Sequence, residues 1–308
     1  MTASDASDAS GPATPGPAPS GPAASALVDA AWLHRHLDDV VLLDASVDRR
    51  TGPDGTTDYA DGLALHTERR IPGARFADLT ARFSDPLAPF PFTRPTAGRI
   101  AAHARELGIR RDSTVVVYDR LTGAWAARVW WLLRSAGITR VRVLNGGLRA
   151  WEESGLPVTD GREEPPVPGD VEAAPARDHF TGLARMRRIA DGDDPTPAVC
   201  ALRRTEYQGD PGRPRSGHIP RTTNLPYADL LGPHHTLDPA HTARLAAAHG
   251  LRRGAGTVLY CGGAINAAGL ALALHEIGID DVVLYDGSLS EWRAHPGLPL
   301  TTGDEAGG

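Results

Sequence analysis

Cys261 stands in "VLYCGGAINAAGLALALHE", residues 258–276 of a 308-residue chain that has one other cysteine, Cys200. A short apolar run leads into it and two glycines follow, then a helical stretch that closes at Gly278. This order places a thiol at the carboxyl end of a strand, where ligands gather in open α/β sheets. Gly262, Gly263, Ala264, Ile265 and Asn266 form the turn into the helix. The first N–H groups of a helix are unpaired, and its dipole adds positive potential there. Glycines let such a turn curl until its amides converge on one anion, and this setting favours a nucleophilic thiolate. A free cysteine is also among the most buried residue types. The strand end followed by a bare turn favours the reactive reading, because such a turn exposes a side chain.

Other chemistry has less support. All 32 basic residues are arginine, so no lysine is available for a Schiff base or a phosphate-binding loop. Fixed positive charge at any site must come from guanidinium groups. His234 and His235 have no partners at metal-ligand spacing, and no metal is expected. Cys200 reads as a buried structural cysteine rather than a resolving thiol. A cysteine phosphatase closes its loop with an arginine that grips phosphate. Here Ala267, Ala268 and Gly269 occupy those places.

The elements that must position Cys261 occur twice. "TVVVYDRLTGAWAARVWWLLRSAGITRVRVLNGGLRAWEESGLPV" from Thr114 answers "TVLYCGGAINAAGLALALHEIGIDDVVLYDGSLSEWRAHPGLPL" from Thr257. Tyr118 answers Tyr260, Trp151 answers Trp292, and Asn145-Gly146-Gly147 falls opposite Tyr285-Asp286-Gly287. Asp119 stands where the second copy has Cys261. The offset, about 140 to 155 residues, is the size of a domain rather than of a solenoid repeat. Within each copy, runs such as "VVLLDA", "TVVVYD" and "RVRVLNGG" alternate with helical stretches such as "PTAGRIAAHARELGI". That alternation predicts α/β domains, each a parallel sheet with helices on both faces. The expected organisation is a disordered tail over residues 1–24, an N-terminal domain over 25–158, a Pro-, Gly- and acid-rich linker over 159–178 and a C-terminal domain over 179–302. The C-terminal copy would carry the chemistry, with the N-terminal one as scaffold and second wall of a cleft.

With "RIPGARF", "GHIP", "VLNGGLRAW" and "YDGSLSEW" added to these segments, the chain resembles the tandem-domain rhodaneses, the thiosulfate and 3-mercaptopyruvate sulfurtransferases, over about residues 26–302. The resemblance implies two rhodanese-like domains and a sulfane sulfur carried on Cys261 as a persulfide. It also implies a small-molecule donor, a thiol or cyanide acceptor, and no metal or organic cofactor. A protein acceptor of sulfur is compatible with it. The loop "CGGAIN" is similar to the Cys-Gly-Ser-Gly-Val-Thr of mercaptopyruvate enzymes and lacks the basic residues of thiosulfate enzymes, which favours 3-mercaptopyruvate. Gly263 replaces the serine, Ala264 the second glycine, and Asn266 the threonine. Arg215 is matched to a substrate-binding arginine, while Glu206 stands where the family has another. Tyr118 and Arg70 are matched to residues facing substrate from the first domain. A non-catalytic sulfur-carrier or binding protein of the same architecture is the alternative.

The formal charge of −6 and the absence of any basic block give no reason to expect nucleic-acid binding. No apolar run approaches the roughly 20 residues of a spanning helix, and the N-terminus does not read as a secretory signal. Two cysteines fit a reducing compartment. The expectation is a cytoplasmic protein without membrane contact.

Overall fold

The computed structural model describes residues 25–52 and 57–304; the expected tail lies outside them. The strands are β1 (Leu27–Val28), β2 (Val40–Asp44), β3 (Val47–Thr51), β4 (Thr57–Asp61), β5 (Arg75–Phe76), β6 (Thr114–Tyr118), β7 (Val141–Leu144), β8 (Phe180–Thr181), β9 (Ala198–Cys200), β10 (Thr223–Asn224), β11 (Thr257–Tyr260) and β12 (Val282–Tyr285). The helices are α1 (Ala30–Arg35), α2 (Leu63–Glu68), α3 (Ala97–Glu106), α4 (Ala124–Ser135), α5 (Gly147–Glu153), α6 (Leu183–Asp191), α7 (Arg204–Gln208), α8 (Pro239–Ala248), α9 (Ile265–Glu276) and α10 (Ser288–Ala294).

Two parallel sheets result, ordered β1-β7-β6-β2-β5 and β10-β9-β11-β12-β8. Read in corresponding directions, the two orders are the same. The central strands β6 and β11 are buried almost throughout, as their unbroken apolar sequences require when helices cover both faces. Helix α9 is buried around most of its circumference because it is apolar on all sides. It packs along α4, the corresponding helix of the first half. Trp151 and Trp292 are both fully buried, and their indole N–H groups donate to Pro157 O at 2.7 Å and Pro299 O at 2.8 Å. The antiparallel hairpin β3–β4 was not expected, since its largely exposed residues carry no apolar alternation.

One register in the sequence comparison needs correction. Leu148 N–H donates to Asp119 O at 3.1 Å, and Leu289 N–H donates to Cys261 O at 3.0 Å. Asn145 therefore corresponds to Asp286 rather than to Tyr285. The reason is a loop one residue shorter in the second half. Asp119 is followed by the helix cap Gly123, whereas Cys261 is followed by the cap Ala264.

The segment after α5 lies against the first sheet's half. Gly161 N–H bonds Thr67 O at 2.8 Å, Phe76 N–H bonds the Glu163 carboxylate at 3.0 Å, and Ala174 N–H bonds Ala136 O at 2.8 Å. Among the described residues, no helix is long and apolar enough to cross a membrane.

Candidate active site

Cys261 immediately follows β11, and α9 begins four residues later. The start of α10 clasps its backbone. Cys261 N–H donates to Ser288 Oγ at 3.2 Å, and Ser288 Oγ donates in turn to Tyr285 O at 2.8 Å. Ser290 donates to Gly262 O through both its N–H at 3.0 Å and its hydroxyl at 2.7 Å. Ala264, the cap of α9, has φ +61° and is buried. This is a left-handed conformation that costs a residue with a Cβ roughly 1–2 kcal/mol. The turn therefore curls as the glycine-rich pattern predicted, even though alanine stands at the critical position.

The exposure of the thiol does not follow the sequence expectation. Cys261 is 2% exposed. The glycines are more open than the cysteine they adjoin. A Cβ placed on Gly262 would meet nothing within 4 Å, whereas one on Gly263 would lie 3.7 Å from Phe92 Cδ2 and 3.8 Å from Pro91 O. The N-terminal half thus walls this loop with "PLAPFPFTRP", where Phe92 itself adopts φ +61°. The sequence reading missed this wall. Its one signal was a proline-rich segment with no periodicity.

The matching loop of the first half shows what such a turn holds. The Asp119 carboxylate accepts the N–H groups of Leu121 at 2.8 Å and of Gly123, Trp125 and Ala126 at 3.0 Å each. Burial raises the Asp119 pKa, and these amides oppose that rise. In the second half, the first helical hydrogen bond is Ala268 N–H to Ala264 O. The N–H groups from Gly263 to Ala267 have no acceptor among the described residues. The two halves therefore present the same amide cradle, filled by a carboxylate in one and adjoining a cysteine in the other.

The residues expected to bind substrate are committed elsewhere. Arg215 donates to Leu298 O at 2.6 Å, and to Trp292 O and His295 O at 3.0 Å each. Its guanidinium ties down the end of α10 rather than facing a donor. Tyr118 is fully buried in the first half and donates to the Asp44 carboxylate at 3.1 Å, so it does not line a cleft. Arg70 is also buried; it donates to Gly161 O at 2.5 Å, and its backbone pairs with Thr159. His218 occupies the equivalent place in the second half, with its backbone paired to Thr301. In each case a group far away in sequence, a carbonyl for Arg215 and Arg70 and the Asp44 carboxylate for Tyr118, claims the side chain, and local pattern cannot report that.

Tyr260 is core, with its hydroxyl 2.7 Å from Thr222 Oγ1. Cys200 is fully buried, and burial pushes its thiol up to about 12. The histidine pair lies at the joint between the halves. His234 Nδ1 lies 2.8 Å from the Glu153 carboxylate, and His235 Nδ1 bonds Leu121 O at 2.6 Å. Among the described residues, no group of three or more His, Cys, Asp or Glu side chains could hold a metal ion.

Reciprocal contacts join the halves around the two loops. Leu237 N–H donates to Asn145 Oδ1, and Arg94 N–H donates to Asp286 Oδ2, each at 2.8 Å. Tyr227 donates to Thr122 O at 2.7 Å, so a residue of the second half braces the Asp119 loop much as Phe92 walls the Cys261 loop. A cavity of about 520 Å³ opens beyond the end of β9, lined by Leu202, Glu206, Asp210, Arg213, Ser216 and Arg293 among others.

Comparison with known proteins agrees with this architecture. The chain matches the family described as Rhodanese-like domain over residues 29–154 and 203–295. It is 32% identical to the 3-mercaptopyruvate sulfurtransferase of Escherichia coli strain K12, covering 89% of this chain and 96% of that protein. It is 29% identical to the sulfur carrier protein TtuD of Thermus thermophilus, covering 91% and 97%. The crystal structure of SseA from Escherichia coli, a 3-mercaptopyruvate sulfotransferase, superposes with a TM-score of 0.75 at 27% identity, covering 86% of this chain and 99% of that one.

Proposed function

The chain belongs to the rhodanese-like family, and from that premise we propose that it is a sulfurtransferase working through a persulfide on Cys261. The Cys261 sulfur attacks the sulfur of the donor. With 3-mercaptopyruvate, an S–S bond forms and the donor's C–S bond breaks. The released electron pair stays on the carbon of the leaving pyruvate enolate, which takes up a proton. A thiolate or cyanide then attacks the outer sulfur, the S–S bond breaks, and the electron pair returns to Cys261. This is covalent catalysis in two half-reactions, and it balances without an oxidant or reductant.

The observation that carries the reading is the pair of matched cradles. In the first half, four amides hold a buried carboxylate. In the second, the amides from Gly263 to Ala267, beside Cys261, lack an acceptor among the described residues. A terminal sulfur bearing negative charge is the group such amides would stabilise. Donor entry is assigned to the side at Gly262, where no atom lies near the added Cβ. The loop itself carries no cation, which favours 3-mercaptopyruvate over the thiosulfate dianion. Residues 25–158 act as the non-catalytic partner domain.

Intact-mass measurement after incubation with 3-mercaptopyruvate or thiosulfate tests this. The expected result is a gain of one sulfur atom, lost again on adding thiol or cyanide with release of persulfide, sulfide or thiocyanate. The gain should be absent in Cys261→Ser. A gain without turnover supports the second reading, a sulfur carrier, for which the likeness to TtuD speaks. No gain from either donor overturns both.

A further inference from the structure

We propose that a second cavity, one helix length away from the Cys261 loop, binds a phosphate-type dianion, free or as the phosphate group of a small ester. Its volume is about 310 Å³. Arg134 borders it from the last turn of α4 and His275 from the last turn of α9. Thr114 contributes from the start of β6, Arg140 and Arg142 from the entry to β7, and Ser25 from the residues before β1. Helix α9 spans 12 residues, about 18 Å at the usual rise. The Cys261 loop lies at its other end, so the two places are distinct.

The lining carries one sign of charge. Three arginines border the cavity and no acidic residue does. Among the described residues, Arg134, Arg140 and Arg142 form no ion pair, unlike Arg128 with Asp286. Arg134 and Arg142 donate no side-chain hydrogen bond there, and Arg140 spends one, Nη2 to Thr114 Oγ1 at 3.3 Å. Two of the three are nonetheless held in place. The Arg134 guanidinium lies over the Trp130 ring and that of Arg142 over the Trp32 ring, each 5.0 Å from the centroid. Stacking engages the flat face of the guanidinium and leaves its N–H edge free. The acids that adjoin these residues are already engaged. Glu276 accepts Ser25 Oγ–H and Ala26 N–H at 2.6 Å each, and Asp280 is bonded to His275 Nδ1. Burial lowers the Arg134 pKa; Asp280 opposes that fall and Arg177 adds to it, which suits a cation short of negative charge.

Three guanidinium groups from two elements select the shape of the anion as well as its sign. A carboxylate offers two oxygens in one plane and a single charge. A phosphate monoester offers three oxygens arranged about a tetrahedral centre and a charge of about −1.5 to −2 near pH 7. Arginine forks meet such oxygens in bidentate pairs, and the Thr114 and Ser25 hydroxyls supply neutral donors at the margin. The volume stands at the low end of small-molecule sites, which leaves room beside the phosphate for a small organic group.

Calorimetric titration of the full chain with inorganic phosphate, glycerol 3-phosphate and acetate, at about 0.15 M ionic strength, tests this. Phosphate should bind about tenfold or more tightly than acetate, the worth of one further charge-assisted hydrogen bond. Arg142→Met should weaken phosphate about tenfold. Arg140→Ala, which removes an exposed side chain and so leaves the fold intact, should weaken it about threefold or more. Arg252 is exposed and lies outside the cavity, so Arg252→Ala should leave the affinity unchanged. The tighter of phosphate and glycerol 3-phosphate identifies the source, free ion or ester. Bound phosphate should also raise the thermal unfolding midpoint of wild type, and less so that of Arg140→Ala. Acetate bound as tightly as phosphate, or a loss in Arg252→Ala equal to that in Arg140→Ala, would overturn the inference. Phosphate held instead by the amides beside Cys261 would be indifferent to Arg140→Ala and Arg142→Met, and that result overturns it as well.

Discussion

Arg128 Nη2 donates to Asp286 Oδ1 at 2.6 Å, joining helix α4 of the first half to the end of β12 in the second. The guanidinium is wholly buried and also donates to Phe92 O at 2.8 Å. Asp286 precedes the turn that presents Ser288 to the Cys261 N–H, and Phe92 walls the loop at Gly263. One arginine therefore fixes both sides of the candidate site across the joint between the halves.

Replacing Arg128 by Met removes this link and leaves the Asp286 carboxylate without its counter-ion. Breaking a buried pair from one side costs about 3–5 kcal/mol. We expect a loss of that size in urea unfolding and a fall in sulfur-transfer rate in the folded fraction. Arg128→Lys should recover less than half of the stability, since one ammonium does not reproduce the planar fork. A Met variant within about 1 kcal/mol of wild type would show that the pair contributes little.

The low exposure of Cys261 predicts size-selective reactivity. N-ethylmaleimide should modify it far more slowly than it modifies free cysteine, while 3-mercaptopyruvate loads it readily through the side at Gly262. Time-resolved mass spectrometry with both reagents decides the matter. Alkylation as fast as that of free cysteine would mean that the thiol lies open in solution.

Asp119→Ala would strand four N–H groups that now share one carboxylate. Each buried donor left unpaired costs about 1–3 kcal/mol. The expected destabilisation is therefore about 3 kcal/mol or more, even with some of these donors re-paired to water. Asp119→Asn keeps one acceptor oxygen and should lose about half as much. Denaturant midpoints compare the two. Equal losses for Ala and Asn would show that the cradle does not recognise an oxygen acceptor.

His66 sits between two carboxylates, with Nδ1 2.9 Å from Asp44 and Nε2 3.5 Å from Glu163. Arg70 and the Tyr118 hydroxyl adjoin the same cluster. Burial pulls its pKa down, but the hydrogen bond with the Asp44 carboxylate and the negative charge of Asp44 and Glu163 outweigh burial and leave it above the ordinary 6.5. The folded pKa thus lies above the unfolded one. The stability from protonated His66 is fully present below about pH 6.5 and is lost as pH rises through the folded value. Wild type should exceed His66→Gln by more near pH 6 than near pH 9, roughly the span of a histidine titration. Urea melts at the two pH values that give the same difference would remove the charged histidine from the account.

Local chemistry wrote much of this protein into its sequence. Buried parallel strands need uninterrupted apolar runs, so β2, β6 and β11 could be read directly. The repeated Trp, Gly-Leu-Pro and strand-turn-helix units gave two copies of one architecture and located Cys261 next to β11 and α9. The family resemblance rested on the same segments. Contacts between distant residues decided the rest. Arg215 matched a substrate-binding position, yet its guanidinium meets carbonyls at Trp292, His295 and Leu298. Tyr118 and Arg70 were drawn inward by Asp44 and Gly161. Phe92 gave no periodic signal, because its place over Gly263 depends on how two separately coded sheets dock. Periodicity reports which face of an element is apolar; only the assembled chain determines which distant carbonyl or ring each polar side chain meets.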